Sequence, residues 1–198
     1  MFLRTESLSQ FIRFYPVVSL LILIHAIVFI ATSLPGGIGW SVFVTLGGIN
    51  GLISAGEYYR LVTPIFVHAD LWHVLFNTFS LVLFAPALER LLGSFQFSVV
   101  YLLAGIIANV ATWVLQPADY FSVGASGAIF GLFGLYGAIW LIYKEAAPLE
   151  IRQIMVPLIV ISIVMTFFGS NINVTAHIAG LAAGVFIGLF IFQQRRRT

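Results

Sequence analysis

Residues 175–192 read TAHIAGLAAGVFIGLFIF, with no charged side chain anywhere in the stretch. A continuous apolar run of about 17–25 residues is long enough to cross the hydrocarbon core of a bilayer as a helix. Hydrophobic and polar residues do not alternate here, which excludes the strand of a membrane β-barrel. The run carries His177 near its start and meets Arg195, Arg196 and Arg197 at its end. Gly180 and Gly184 lie four apart and form a G-x-x-x-G face on which a second helix can approach closely.

Five further runs of the same kind lie upstream: Pro16 to Leu34, Leu71 to Leu88, Phe95 to Leu115, Ala125 to Tyr143, and a short one from Ile154 to Phe168. The sequence therefore predicts an all-α, polytopic membrane protein with six transmembrane helices in a single domain over residues 1–198. Composition agrees. Of 198 residues, 61% are hydrophobic and 8% are charged, against about 25% charged in ordinary globular proteins. The mean hydropathy is +1.07. A soluble surface and a disordered chain are both excluded. There is no cysteine, which removes disulfides, thiolate metal sites and a Cys nucleophile. A net charge of +2 offers no basic footprint for nucleic acid. Arg4 and Arg13 before an apolar run imitate a signal peptide, but no clear small-residue cleavage site follows, so the run reads as the first span.

The basic residues orient the spans. If they alternate, Arg4, Arg13, Arg90, Lys144, Arg152 and the three terminal arginines share one side, and Arg60 alone lies on the other. The positive-inside rule then puts both termini in the cytoplasm, in a cell membrane. The connection from Pro35 to Asp70 is long yet apolar, with Trp40, Phe43, Tyr58, Tyr59 and Phe66. It is too apolar for disorder, and its aromatic rings suit the headgroup level. A structured element half-sunk among the lipids of the outer leaflet is expected.

Polar residues in or beside spans are costly and so mark function. They are His25, His68, Asp70, His73, Asn77, Asn109, Ser126 and His177. His73 and Asn77 are four apart and share a helix face; alone they read equally as an interhelical hydrogen-bonding pair. Gly124-Ala125-Ser126-Gly127 opens the fourth span. Its bland reading is close packing, since Gly127, Gly131 and Gly134 form a small-residue stripe. Its functional reading is a nucleophilic serine at a helix start, where unpaired N–H groups can stabilise an oxyanion. Packing of that stripe on Gly180 and Gly184 would bring His177, a possible general base, toward Ser126. By the alternating topology, Ser126, His73, Asn77 and His177 all fall at one depth below the outer surface. That agreement favours a shared site over scattered structural residues.

The constellation resembles the rhomboid family of intramembrane serine proteases, through Gly124-x-Ser126-Gly127, Ala176-His177-x-x-Gly180-x-x-x-Gly184, and His73-x-x-x-Asn77 with His68 upstream. The resemblance covers nearly the whole chain and is to the bacterial type with six spans. It implies a Ser126–His177 dyad in a water-filled cavity, with Ser126 N–H, His73 and Asn77 as the oxyanion hole. His68, Gly124, Gly127, Phe130, Gly180 and Gly184 would support them, the glycines holding the dyad at hydrogen-bond distance. Substrates would be single-span membrane proteins, admitted by a lateral gate near spans two and five. Residues 167–171 could serve as a cap hinged at Gly169. Two positions depart from the commonest pattern. Tyr59-Arg60 replaces a Trp-Arg pair, and Phe130 replaces a tyrosine, so stacking on the base survives without a phenolic hydrogen bond. His25 matches nothing in the pattern and reads as a packed or hydrated histidine.

No cofactor and no metal are expected. H-E-x-x-H is absent, and the remaining metal reading is the run His68, Asp70, His73. A catalytically inactive, client-binding relative is the alternative, but such relatives typically lack the serine or histidine that this chain keeps. A transporter would show repeats or ionisable residues within its spans.

Overall fold

The computed structural model describes residues 6–146, 149, 151–168 and 172–197. Every predicted span is helical: α2 (Pro16–Thr32), α5 (Leu71–Leu92), α6 (Ser94–Leu115), α7 (Ser126–Tyr143), α8 (Val156–Met165) and α9 (Val174–Arg197). Three short helices accompany them: α1 (Leu8–Phe14), α3 (Ile38–Leu46) and α4 (Asn50–Ser54). The protein is an all-α, multi-pass membrane bundle. Among the described residues, α5, α6, α7 and α9 are long and apolar enough to cross a bilayer, and α1–α2, bent by 111°, makes a fifth if taken as one span. The fifth predicted span is shorter than a full crossing. A π-helical turn, Ile151–Met155, leads into α8, and the pair reaches about 22 Å at 1.5 Å per residue, short of a hydrocarbon core of about 30 Å.

The core is built around α7. Every residue from Gly127 to Tyr136 is buried, the signature of a helix surrounded by others. Its closest neighbour is α9. A Cβ on Gly180 would overlap the Gly127 carbonyl, and one on Gly184 would overlap the Gly131 carbonyl. The two backbones touch, as small-residue stripes allow in a membrane, where dispersion and not hydrophobicity drives helix association. On its other side α7 meets α6, where a Cβ on Gly127 would lie 2.7 Å from the Ala108 methyl.

The far end of α5 corrects the sequence reading. Glu89-Arg90 looks like a stop, yet the helix runs on to Leu92 with Glu89 buried. The Glu89 carboxylate accepts from Val17 N at 2.9 Å, Val18 N at 3.0 Å and Ser94 Oγ at 2.7 Å. It therefore caps the first turn of α2, which starts at Pro16, and answers both the orphan N–H groups and the positive end of the helix dipole. Arg195 donates to Leu91 O at 2.7 Å and Gln96 Oε1 at 3.1 Å. The starts of α2 and α6 and the ends of α5 and α9 thus meet at one pole of the bundle, the arginine-bearing one.

The long connection is structured, as expected. Gly48–Ile49 (β1) pairs antiparallel with Phe121–Ser122 (β2) in the register Gly48↔Ser122 and Ile49↔Phe121. Arg60 is its organiser. Its guanidinium donates to Val44 O and Gly47 O, each at 2.6 Å, covering the carbonyl end of α3, where a cation is favoured. Arg60 Nε also donates to Glu57 at 2.6 Å. The Tyr59 hydroxyl and Arg60 hold the Glu57 carboxyl below its ordinary range. Tyr59 lies with its ring 5.2 Å from the Arg60 guanidinium carbon. Asn50 Nδ2 fastens the connection to the end of α6 through Thr112 O, Gln116 O and Pro117 O at 3.0–3.1 Å. Ile38 and Trp40 remain exposed, a face suited to lipid.

Two outcomes follow from these contacts. Glu89→Ala leaves the α2 donors without an acceptor and should lower stability by about 2–3 kcal/mol, read as a fall in the unfolding midpoint in mild detergent. Gly184→Ala forces a methyl against backbone that cannot yield and should cost about 1–3 kcal/mol. An unchanged midpoint in either variant would contradict the corresponding contact.

Candidate active site

Asp70 caps α5 by accepting from His73 N at 2.8 Å, which fixes His73 in the first turn. Ala69 N reaches His73 Nδ1 at 3.5 Å. A nitrogen that accepts carries no hydrogen, so neutral His73 bears its hydrogen on Nε2. That nitrogen faces Gly124: a Cβ there would lie 2.6 Å from it and 3.8 Å from Ser126 Oγ. Gly124 has φ +122°, a conformation that side chains disfavour, and its N–H donates to Pro64 O at 2.9 Å. A glycine is required here twice over, for backbone angle and for space. One turn along α5, Asn77 is buried and donates to His73 O at 2.9 Å, leaving a second amide hydrogen.

Ser126 is the first residue of α7, and no side chain caps that helix. The N–H groups of the first turn lack intrahelical acceptors. On α9, His177 is buried with its ring stacked on Phe130, centroids 4.0 Å apart and planes 16° apart. The predicted stacking is therefore present. The ring edge is met from the C-cap of α8, with Nδ1 2.9 Å from Thr166 Oγ1. Asn173 precedes α9; its Oδ1 accepts from Ala176 N and its Nδ2 donates to Thr112 Oγ1, both at 2.9 Å.

Ser126, His177, His73, Asn77, Phe130 and Asn173 all line one cavity of about 840 Å³. The expected Ser126–His177 hydrogen bond is a correction: among the described residues the two side chains share the cavity without bonding. Close approach of α7 and α9 fixes the backbones, while the ring's position is set by Phe130 and Thr166. In unliganded sites such bonds are often long and tighten with substrate.

His68 does not reach the cavity. It is buried behind His73, edge-to-face at 5.1 Å, and meets His25 in the same way at 4.8 Å. His25 is fully buried in α2, the packed alternative of the sequence reading. Among the described residues, no three His, Asp or Glu side chains are placed to share a metal ion. Gly127, Gly180 and Gly184 act through the α7–α9 contact. Phe167 and Phe168 are exposed; the remainder of the predicted cap, residues 169–171, lies outside the described residues. Sequence reading missed Thr166 and Asn173. The available signal was Ser162 and Thr166, four apart and so on one face of an otherwise apolar helix.

The chain matches the Rhomboid domain over residues 55–194. It is 44% identical over 199 residues to the candidate rhomboid protease YdcA of Bacillus subtilis, covering 100% of this chain and 99% of that protein. It is 42% identical to the rhomboid protease GluP of the same organism over 69% of this chain and 27% of GluP. RHOMBOID-like protein 9 of Arabidopsis thaliana chloroplasts is 34% identical over 72% of this chain and 33% of its own length.

Gly124→Ala tests the built geometry. A methyl at this position meets the His73 ring and adds backbone strain of about 1–3 kcal/mol. Displaced His73 imidazole resonances together with a lowered unfolding midpoint are expected. An unmoved His73 signal would show that Gly124 does not set the ring's place.

Proposed function

The chain belongs to the rhomboid family, and on that premise we propose that it is a serine-type intramembrane endopeptidase acting through Ser126 and His177. The observation that carries this reading is the shared cavity, in which a serine at an uncapped helix start meets a fixed imidazole and a donor-bearing His73. In the proposed reaction Ser126 Oγ bonds to the scissile carbonyl carbon while its proton passes to His177. The carbonyl π pair becomes an oxyanion, received by Ser126 N–H, His73 Nε2–H and the free amide hydrogen of Asn77. Collapse breaks the C–N bond, and His177 returns the proton to the leaving amine. Water then attacks the acyl-enzyme with His177 again as base, and Ser126 is restored.

Single-span membrane proteins are the proposed substrates. A helical peptide bond is shielded by its own hydrogen bonds, so small or helix-weakening residues near the cut would favour attack. Ser162 of the short helix α8 lines the cavity, which supports α8 as the element beside which a substrate could enter. Arg13 and Arg90 in the last turns of α1 and α5, with Arg195 bonded to Leu91 O, support a cytoplasmic placement for both termini and a cavity that opens outward. The proposed location is the cell membrane.

The test is a serine-directed fluorophosphonate applied to purified protein beside Ser126→Ala, with a model single-span substrate and a chelator control. Labelling and cleavage in the parent, lost in Ser126→Ala and indifferent to chelator, are the expected results. Asn77→Ala should retain labelling and lose about 10²–10³ in rate. A folded parent that neither labels nor cleaves would sink the protease reading and favour a client-binding relative.

A further inference from the structure

Among the described residues no carboxylate bonds to His177, yet its Nδ1 is not idle. Thr166 is buried at the end of α8, on the inward stripe that also carries the buried Met155 and Ile159. Its hydroxyl has two neighbours: Ser162 O at 3.0 Å and His177 Nδ1 at 2.9 Å. A hydroxyl owns one hydrogen. Donated to the Ser162 carbonyl, a common use of a helical threonine, it leaves a lone pair toward Nδ1, which must then carry its own hydrogen. Both contacts are hydrogen bonds in that arrangement. The reverse orientation, with the hydroxyl donating to Nδ1, makes one side-chain hydrogen bond in place of two and leaves Ser162 O only the Thr166 backbone N–H at 3.2 Å. A neutral imidazole has a single N–H, so a hydrogen on Nδ1 leaves Nε2 bare.

We propose that Thr166 is a positioning residue for His177: it accepts the Nδ1 hydrogen and so keeps Nε2 available to take the proton of Ser126. This rests on the reading of His177 as general base. In serine hydrolases with a third member, a carboxylate performs this task and the wrong tautomer is poorly active. Here a neutral hydroxyl on the short helix α8 would do so, and the Nδ1–H···O bond would strengthen when His177 gains a proton, since charge-assisted bonds are about twice as strong as neutral ones. Phe130 fixes the plane of the ring; Thr166 fixes which of its nitrogens is the base.

The experiment uses the full chain in mild detergent with ¹⁵N-labelled histidine, the His177 signal being assigned by its loss in His177→Gln. Thr166→Val and Thr166→Ser are compared with the parent for imidazole spectrum, kcat and KM on a single-span substrate. The parent should show hydrogen on Nδ1 and not on Nε2. Thr166→Val should move the signal toward the other tautomer and lower kcat by about 10- to 100-fold, with KM within about twofold. Thr166→Ser should restore both. A parent with its hydrogen on Nε2 would overturn the proposal, whether or not any variant folds, and so would a Thr166→Val protein that keeps the parent's tautomer and kcat. If the parent cleaves nothing, the protease reading fails on its own, while the spectrum still reports whether Thr166 governs the tautomer.

Discussion

Backbone contact between α7 and α9 is the constraint on which the rest of the molecule depends. Gly180 and Gly184 lie against the carbonyls of Gly127 and Gly131, where a single methyl group has no room. Helices this close are held in register, because each glycine notch fits one position of its neighbour. The register brings the start of α9 beside the start of α7, which puts His177 and Ser126 into the same cavity and lays the His177 ring flat on Phe130. A packing feature in the apolar interior thus sets the geometry of the polar site at its edge.

Backbone groups at helix ends are the second constraint, because lipid offers them no hydrogen bonds. The structure answers with buried polar side chains that carry no chemistry of their own. Glu89 caps α2, Arg60 covers the carbonyl end of α3, and Asn50 gathers three carbonyls at the end of α6. The cavity residues differ in kind. Ser126 starts a helix without a side-chain cap, and Asn77 keeps an amide hydrogen beyond its single bond to His73 O. The caps of the scaffold spend their donors and acceptors on helix ends, whereas Ser126 and Asn77 keep capacity that faces the cavity.

Much of this was legible in the sequence. Apolar length alone marks the spans, since a bilayer tolerates few other spanning structures, and the glycine spacing marks the α7–α9 face. The placement of Ser126, His73, Asn77 and His177 at one depth follows from counting spans. Glu89 was misread as the end of a helix because a charge in an apolar run looks like a boundary; its acceptors' partners lie about seventy residues earlier in the chain. The spacing of Ser162 and Thr166 marks a polar face, but a threonine in an apolar helix carries no sign of which neighbour its hydroxyl meets.

The sequence by itself determined the class of fold, the helices and the residues able to do chemistry, because these depend on hydropathy, spacing and functional groups, all local properties. Tertiary structure decided the rest. It left Ser126 and His177 sharing a cavity without a bond between them. It put His68 and His25 behind the site and brought Thr166 to the outer nitrogen of His177. Those outcomes turn on distances of a few ångströms between segments far apart in the chain, which no local pattern of residues encodes.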